Sequence, residues 1–95
     1  MSVLKLTLKA EKDLTDIFAH VAREFRFFGE DAARSYCEGL KDMLDQLART
    51  PLNGRAEPAI DDRVRSMPYR RHNIYYEVDG DSIVVLRILP ETVSA

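Results

Sequence analysis

The sequence predicts an α+β domain in which a hairpin of two helices covers one face of a small antiparallel sheet. Two observations lead to this prediction. Apolar residues recur at spacings of three and four between residues 9 and 49, as in amphipathic helices. After residue 63 they form short β-type runs instead, and such segregation of helices and strands is typical of α+β folds. A chain of 95 residues suits one domain, so we expect a single unit over 1–95.

The chain should begin with a strand and continue into a helix. Residues 3–8 alternate apolar and polar side chains, which predicts a strand that joins the sheet. Thr7 is also placed to cap the helix that follows it. That helix is expected over 9–28, because one apolar stripe runs through it and neither Gly nor Pro interrupts it. Gly29 then predicts a hinge.

A second helix is predicted over residues 30–49. Glu30 and Asp31 lie in its first turn and Arg49 in its last, as the helix dipole favours. Pro51 follows and should end the helix. Because so few residues separate the two helices, we expect them to form an antiparallel hairpin.

The remainder of the chain predicts a loop and three strands. The loop covers residues 50–62, and the β-type runs cover 63–67, 72–78 and 82–89. Asp79-Gly80-Asp81 has the composition of a hairpin turn between the last two strands.

The length of this turn decides which side chains share a face of the hairpin. A three-residue loop places Val78 opposite Ser82. This register keeps Arg87 away from the apolar face of Ile74 and Tyr76, whereas a two-residue loop places Arg87 on that face. We therefore expect the three-residue loop.

Composition and charge exclude several classes of function. Lys and Arg number 14 against 16 Asp and Glu, a formal charge of −2, so direct nucleic-acid binding is not expected. Cys37 is the one cysteine and is expected in the core, and His20 and His72 lie far apart in the sequence, so neither a disulfide nor a structural zinc site is expected. No apolar run suits a signal peptide or a membrane span, and we expect a cytoplasmic protein without a metal or cofactor.

The strongest local feature is a run of arginines without acids. Residues 63–72 contain Arg63, Arg65, Arg70 and Arg71, which form either an anion-recognising surface or a solvated rim paired with nearby acids. Arg87 interrupts an apolar strand, so it either binds a partner or forms an internal ion pair.

Aromatic and histidine side chains give weaker indications. Tyr75 is a sheet residue whose hydroxyl could contact a ligand. Phe25, Phe27 and Phe28 cannot all face the same way, so one of them could contact a partner. A catalytic His72 would need a partner that the sequence does not identify.

Several segments between about residue 4 and residue 89 carry a resemblance to known proteins: Leu6-Thr7 with Ala10, Asp13-Leu14 and Ile17; Leu47-Ala48-Arg49-Thr50-Pro51 with Gly54-Arg55; Val64-Arg65-Ser66; Pro68-Tyr69-Arg70-Arg71-His72; Ile74-Tyr75-Tyr76; and Ile83 to Leu89. Together they resemble the ParE/RelE toxin superfamily, and most closely ParE. Each segment is weakly specific alone, and their order and spacing make the match specific.

The resemblance implies a RelE/ParE-like fold and the toxin half of a bacterial type II toxin–antitoxin pair. ParE toxins are described as inhibitors of DNA gyrase that trap its complex with cleaved DNA, and RelE-type relatives cut messenger RNA on the ribosome. Both are neutralised by an antitoxin whose C-terminal segment folds onto the toxin. The resemblance thus implies a hetero-oligomer with a ParD-like antitoxin.

The tail after the last strand favours the ParE branch. Family members commonly place a His after the match to Arg87-Ile88-Leu89, but this chain has Pro90, and the residues after it include no Tyr, Lys or Arg. Because RNA cleavage needs a proton donor and a proton acceptor, we expect no enzymatic activity. A RelE-like ribonuclease and an inactive antitoxin-binding module remain the alternatives.

We assign candidate residues to two surfaces. The expected antitoxin contacts are Arg65, Arg71, Arg87, Phe25 and Phe28. The expected contacts to the target or to an anion are Arg63, Arg70 and Tyr75.

Overall fold

The computed structural model describes residues 3–24 and 29–93 and confirms the predicted α+β architecture. Two helices, α1 (Leu8–Glu24) and α2 (Glu30–Arg49), pack on one face of a sheet. The strands are β1 (Leu4–Leu6), β2 (Arg55–Ala56), β3 (Val64–Tyr69), β4 (His72–Asp79) and β5 (Ser82–Pro90). Their order across the sheet is β1-β5-β4-β3-β2, and all neighbours are antiparallel except β1 and β5, which are parallel.

The core forms where the apolar stripes of both helices meet the sheet. The predicted stripes are confirmed, since the buried residues of α1 are Ala10, Ile17 and Val21, and those of α2 include Tyr36, Leu40, Leu44 and Leu47. They pack on Ile74 and Tyr76 of β4 and on Ile83, Val85 and Ile88 of β5. Burying each large apolar side chain stabilises the fold by about 1.5–3 kcal/mol.

Thr7 starts α1 as the sequence predicts. Its hydroxyl oxygen accepts a hydrogen bond from the Ala10 N–H at 3.1 Å, which satisfies an N–H group of the first turn. The same hydroxyl donates to the Leu86 carbonyl at 2.9 Å, and the Thr7 N–H donates to the Val85 carbonyl at 3.0 Å. Thr7 therefore joins the helix start to β5.

Of the segment between the two helices, the structure describes Gly29. Gly29 has a φ of 94° immediately before α2, a conformation that glycine adopts without a steric cost. The predicted extension of α1 to residue 28, and the candidate contacts Phe25 and Phe28 with it, lie outside the described residues.

The expected register of the β4–β5 hairpin is wrong. The loop contains only Gly80 and Asp81, so Asp79 lies opposite Ser82, and Gly80 has a φ of 63°. A β-bulge then shifts the register between Tyr75 and Tyr76.

The bulge explains why comparing a two-residue loop with a three-residue loop did not predict the register. Tyr76 lies opposite Val85, but Tyr75 lies opposite Arg87, and Leu86 is the extra residue. The tight turn and the exclusion of Arg87 from the buried face of Ile74 thus coexist, because Ile88 rather than Arg87 lies opposite Ile74.

The predicted loop over 50–62 also contains regular structure. A 3₁₀ turn covers Pro51–Asn53, and the two-residue strand β2 pairs with Arg65 and Ser66 of β3. The Tyr76 hydroxyl fixes this segment to the sheet, since it donates to the Pro51 carbonyl at 2.6 Å and accepts from the Gly54 N–H at 2.9 Å. In the described part of the chain, neither helix has the length and apolar character needed to cross a membrane.

Candidate functional site

A cleft of about 620 Å³ opens between α1 and the C-terminal end of β5. Ile17, Ile88 and Leu89 are among the apolar residues that line it. Arg71 from the turn between β3 and β4, and His72 at the start of β4, also line it. The charged and titratable residues from α1 and β5 that also line it are Asp13, Asp16, His20, Arg87 and Glu91.

Asp13 organises the wall of the cleft where β1 ends. Because β1 pairs only with residues 83–85, the outer edge of β5 beyond them faces α1. The Asp13 carboxylate accepts the Ile88 N–H at 3.0 Å and a bidentate pair from Arg87, with Nε at 2.8 Å and Nη2 at 3.1 Å. The Asp13 side chain therefore accepts an N–H of β5 that a neighbouring strand would otherwise bind.

This ion pair is held in a sheltered position. The Asp13 side chain is 12% exposed and the Arg87 side chain 38%. Burial raises the pKa of Asp13, but the hydrogen bonds from Arg87 and Ile88 outweigh it and hold that pKa below the ordinary value near 3.8. The structure therefore shows the internal ion pair that the sequence left open for Arg87, and its contact with an antitoxin stays a prediction.

His72 has the partner that the sequence did not identify. Its Nδ1 lies 2.9 Å from the Tyr36 hydroxyl oxygen of α2, within hydrogen-bonding distance. His20, remote in sequence, lines the same cleft, so the two histidines are not far apart in the fold. Burial lowers the pKa of His72 below 6.5, and the charge of His20 lowers it further, whereas Glu91 opposes them.

The β3–β4 turn packs on α2 through aromatic rings. Tyr36 and Tyr69 make an edge contact with centroids 5.5 Å apart, and the Tyr69 hydroxyl donates to the Tyr36 carbonyl at 2.9 Å. Tyr69 comes this close to α2 because Gly39 has no side chain, and a methyl group there would collide with the Tyr69 hydroxyl. Arg70 covers both rings, with its guanidinium carbon 5.2 Å from the Tyr36 centroid and 5.6 Å from that of Tyr69.

The four arginines between residues 63 and 72 do not form one surface. At the start of β3, Arg63 bonds to Asp61, and Arg65 donates to the carbonyls of Leu52 and Gly54. Arg70 and Arg71 lie beyond the other end of that strand, in the turn before β4. The interpretation as a solvated rim paired with nearby acids therefore suits Arg63. Of the candidate antitoxin contacts, Arg71 and Arg87 line the same cleft.

Tyr75 does not line the cleft, and it lies on the opposite face of β4 from the core residues Ile74 and Tyr76. It is buried in a small cluster with Val64 and Leu89, against which Leu86 packs. Its role as a target contact, like that of Arg63 and Arg70, stays a prediction.

Asp13, Tyr36 and His20 were not predicted as site residues. Asp13 and His20 are polar positions of an amphipathic helix, and Tyr36 belongs to the apolar stripe of α2. Their spacing alone gives no sign of the cleft, because it depends on how α1 and α2 meet the end of β5 and the β3–β4 turn.

Comparison with known proteins gives a family match and structural matches that each cover nearly the whole chain. The family described as the ParE toxin of the type II toxin–antitoxin system parDE matches residues 4–92. A chain of the chromosomal ParDE toxin–antitoxin system from P. aeruginosa is 25% identical, with a TM-score of 0.73, and the match covers 95% of this chain and 96% of that one.

A more distant structure shares the fold. A chain of the RelBE2 toxin–antitoxin complex from Mycobacterium tuberculosis is 20% identical, with a TM-score of 0.59, and the match covers 94% of this chain and 96% of that one. No curated protein matches the sequence. Because the family match spans both helices and all five described strands, the chain belongs to the ParE toxin family of type II toxin–antitoxin systems.

Proposed function

We propose that this ParE-type toxin inhibits DNA gyrase in the bacterial cytoplasm without catalysing a reaction of its own, and that a ParD-like antitoxin neutralises it. The family match over residues 4–92 carries the proposal. The chemistry of the cleft supports it, because Pro90 ends β5 without a side chain that could transfer a proton, and Asp13 is engaged by Arg87.

The cleft suits an amphipathic acidic segment of the antitoxin. Its lining includes Ile17, Ile88 and Leu89, which could receive apolar side chains, and Arg71 and Arg87 lie beside them as partners for carboxylates. A segment that folds on binding would bury both kinds of side chain at once. Arg65, Phe25 and Phe28 complete the proposed contacts, and the product is a hetero-oligomer.

Arg87 gives the sharpest test of antitoxin binding. Arg87→Ala should weaken the binding of the antitoxin about fivefold or more, because it removes a guanidinium at the cleft. Calorimetry with the purified antitoxin measures the change, and Arg63→Ala, outside the cleft lining, is the matched control. Unchanged affinity of the Arg87 variant would reject this contact.

The proposed target is tested with the free toxin and purified gyrase. We expect the toxin to inhibit supercoiling and to accumulate cleaved DNA, and we expect a prior addition of antitoxin to abolish both effects. A folded toxin that leaves supercoiling unchanged at micromolar concentration would contradict gyrase as the target. If growth also continues during its expression, the inactive antitoxin-binding module becomes the better description.

Ribosome-dependent cleavage of messenger RNA is the second candidate, and one observation favours it. His72 lies opposite Pro90 in the β4–β5 pairing, so the cleft contains an imidazole beside the position where relatives carry a His. Transcript cleavage on ribosomes that His72→Gln abolishes, and that Arg55→Gln on the exposed strand β2 leaves intact, would establish this candidate in place of gyrase inhibition.

A further inference from the structure

The two hairpin turns of the sheet share their length and a positive φ at the first loop residue, but they differ in sequence. Each loop has two residues, Arg70-Arg71 and Gly80-Asp81, and in each the first residue has a positive φ. Gly80 adopts its φ of 63° without steric cost, whereas Arg70 is held at 54°, a conformation that residues with a Cβ disfavour. Of the described residues other than glycine, Arg70 alone has a positive φ.

Aromatic packing holds the Arg70 side chain in place. Its guanidinium carbon lies 5.2 Å from the Tyr36 centroid and 5.6 Å from that of Tyr69. The Tyr69 hydroxyl is held by the Tyr36 carbonyl, and the Tyr36 hydroxyl by His72 Nδ1. A guanidinium stacked on rings is restricted in its rotamers and presents N–H groups at its edge, which is the geometry that binds a carboxylate in bidentate fashion.

Arg71 extends the same cationic surface toward the cleft. It is exposed, it lines the cleft, and its carbonyl accepts the Glu91 N–H at 2.8 Å, which fixes the turn to the segment after β5. Within residues 3–24 and 29–93, neither Arg70 nor Arg71 forms an ion pair. By contrast, Arg63, Arg65 and Arg87 are all engaged by acids or carbonyls.

We propose that the β3–β4 turn is a carboxylate clamp, in which Arg70 and Arg71 bind acidic side chains of a protein segment whose apolar residues enter the cleft. A protein segment is favoured over a nucleic acid because the cationic surface is confined to one turn of a chain with a formal charge of −2. This inference rests on the proposed function in one respect, which is that the acidic segment belongs to the antitoxin.

Arg70→Gly tests the clamp without the usual risk of misfolding. Glycine suits the positive φ, so this variant should fold while lacking the guanidinium. The probe is a synthetic 12-residue peptide of alternating glutamate and leucine pairs, compared with its glutamine counterpart, and binding is followed by nuclear magnetic resonance. We expect Arg70→Gly and Arg71→Gln each to weaken binding of the acidic peptide at least fivefold, and Arg55→Gln, which changes an exposed arginine of β2, to leave that binding unchanged.

Two outcomes would overturn the clamp. One is equal affinity of the acidic peptide for the wild-type protein and for Arg70→Gly. The other is tighter binding at this turn by a 12-nucleotide single-stranded DNA than by the acidic peptide, which would make the surface a phosphate site. The titration uses neither gyrase nor antitoxin, so a gyrase assay that fails for the wild-type toxin would reject the proposed target and leave the clamp standing.

Discussion

His72 shows how a single residue takes its properties from the elements around it. In the sequence it adjoins two arginines, but in the fold its ring contacts Tyr36 and lies near His20 and Glu91. Burial is the largest cause of its lowered pKa. The sequence indicated an imidazole without a partner, because the partner comes from a helix 36 residues away.

The lowered pKa of His72 predicts a pH dependence of stability. The unfolded chain takes up a proton near pH 6.5 and the folded protein only at lower pH, so the free energy of unfolding should fall as the pH decreases below 6.5. Nuclear magnetic resonance should give a pKa below 6.5 for His72, and His20→Gln should raise it. In His72→Gln this part of the pH dependence should disappear, and an unaltered profile would contradict the assignment.

The contacts of Asp13 predict that removing its carboxylate costs more stability than removing that of Asp16 on the same helix. Asp13→Ala should lower the free energy of unfolding by about 2 kcal/mol, because it leaves the Ile88 N–H without an acceptor in a sheltered place. Asp16→Ala is the control, since its ion pair with Lys12 is exposed, and its effect should stay within about 0.5 kcal/mol. Urea denaturation measures both, and equal losses would refute the role of Asp13.

The pH dependence of the Asp13 contribution follows from its pKa. Because that pKa is held below 3.8 in the folded protein, the stabilisation is present above pH 3.8 and is lost as the pH falls through the folded value. Arg87→Ala should cost less than Asp13→Ala, since the remaining Asp13 still accepts the Ile88 N–H.

The elements themselves were largely predictable, and their pairing was not. The stripes of α1 and α2 extend over helices of 17 and 20 consecutive residues, so the pattern determines them well. The β4–β5 register depends on the bulge at Leu86, which no alternation of side chains indicates. The two-residue strand β2 is too short to produce a pattern at all.

Gly39 predicts an unusual result for a glycine inside a helix. Gly39→Ala ordinarily stabilises a helix, but here it should lower the free energy of unfolding by about 1–3 kcal/mol, because the new methyl collides with the Tyr69 hydroxyl. A double-mutant cycle with Tyr69→Phe provides the control. In the Phe background the same substitution should be neutral or stabilising, and an equal loss in both backgrounds would contradict the contact.

At the scale of the whole molecule, the two ends of the described chain close the fold. Leu4 to Leu6 pair with residues 83–85 of β5, and Thr7 bonds to Leu86 across a separation of 79 residues. Closing so long a loop is costly in entropy, so this pairing should form late in folding.

Thr7→Ala tests that order. It should lower the free energy of unfolding by about 1–2 kcal/mol, since it removes both the helix cap and the bond to Leu86. Stopped-flow kinetics should show faster unfolding and nearly unchanged folding. Thr15→Ala, which removes a hydroxyl bonded to Glu11 inside α1, should change stability by less than about 0.5 kcal/mol. Slower folding of the Thr7 variant would mean that the ends meet early.

The side chains that cover the outer rim of β5 also limit how other molecules can attach there. The Leu86 carbonyl is taken by Thr7, the Ile88 N–H is taken by Asp13, and Pro90 has no N–H to donate. An incoming β-strand would find few main-chain groups to pair with, so this edge of β5 disfavours edge-to-edge aggregation. Whatever docks on this side must be recognised through its side chains.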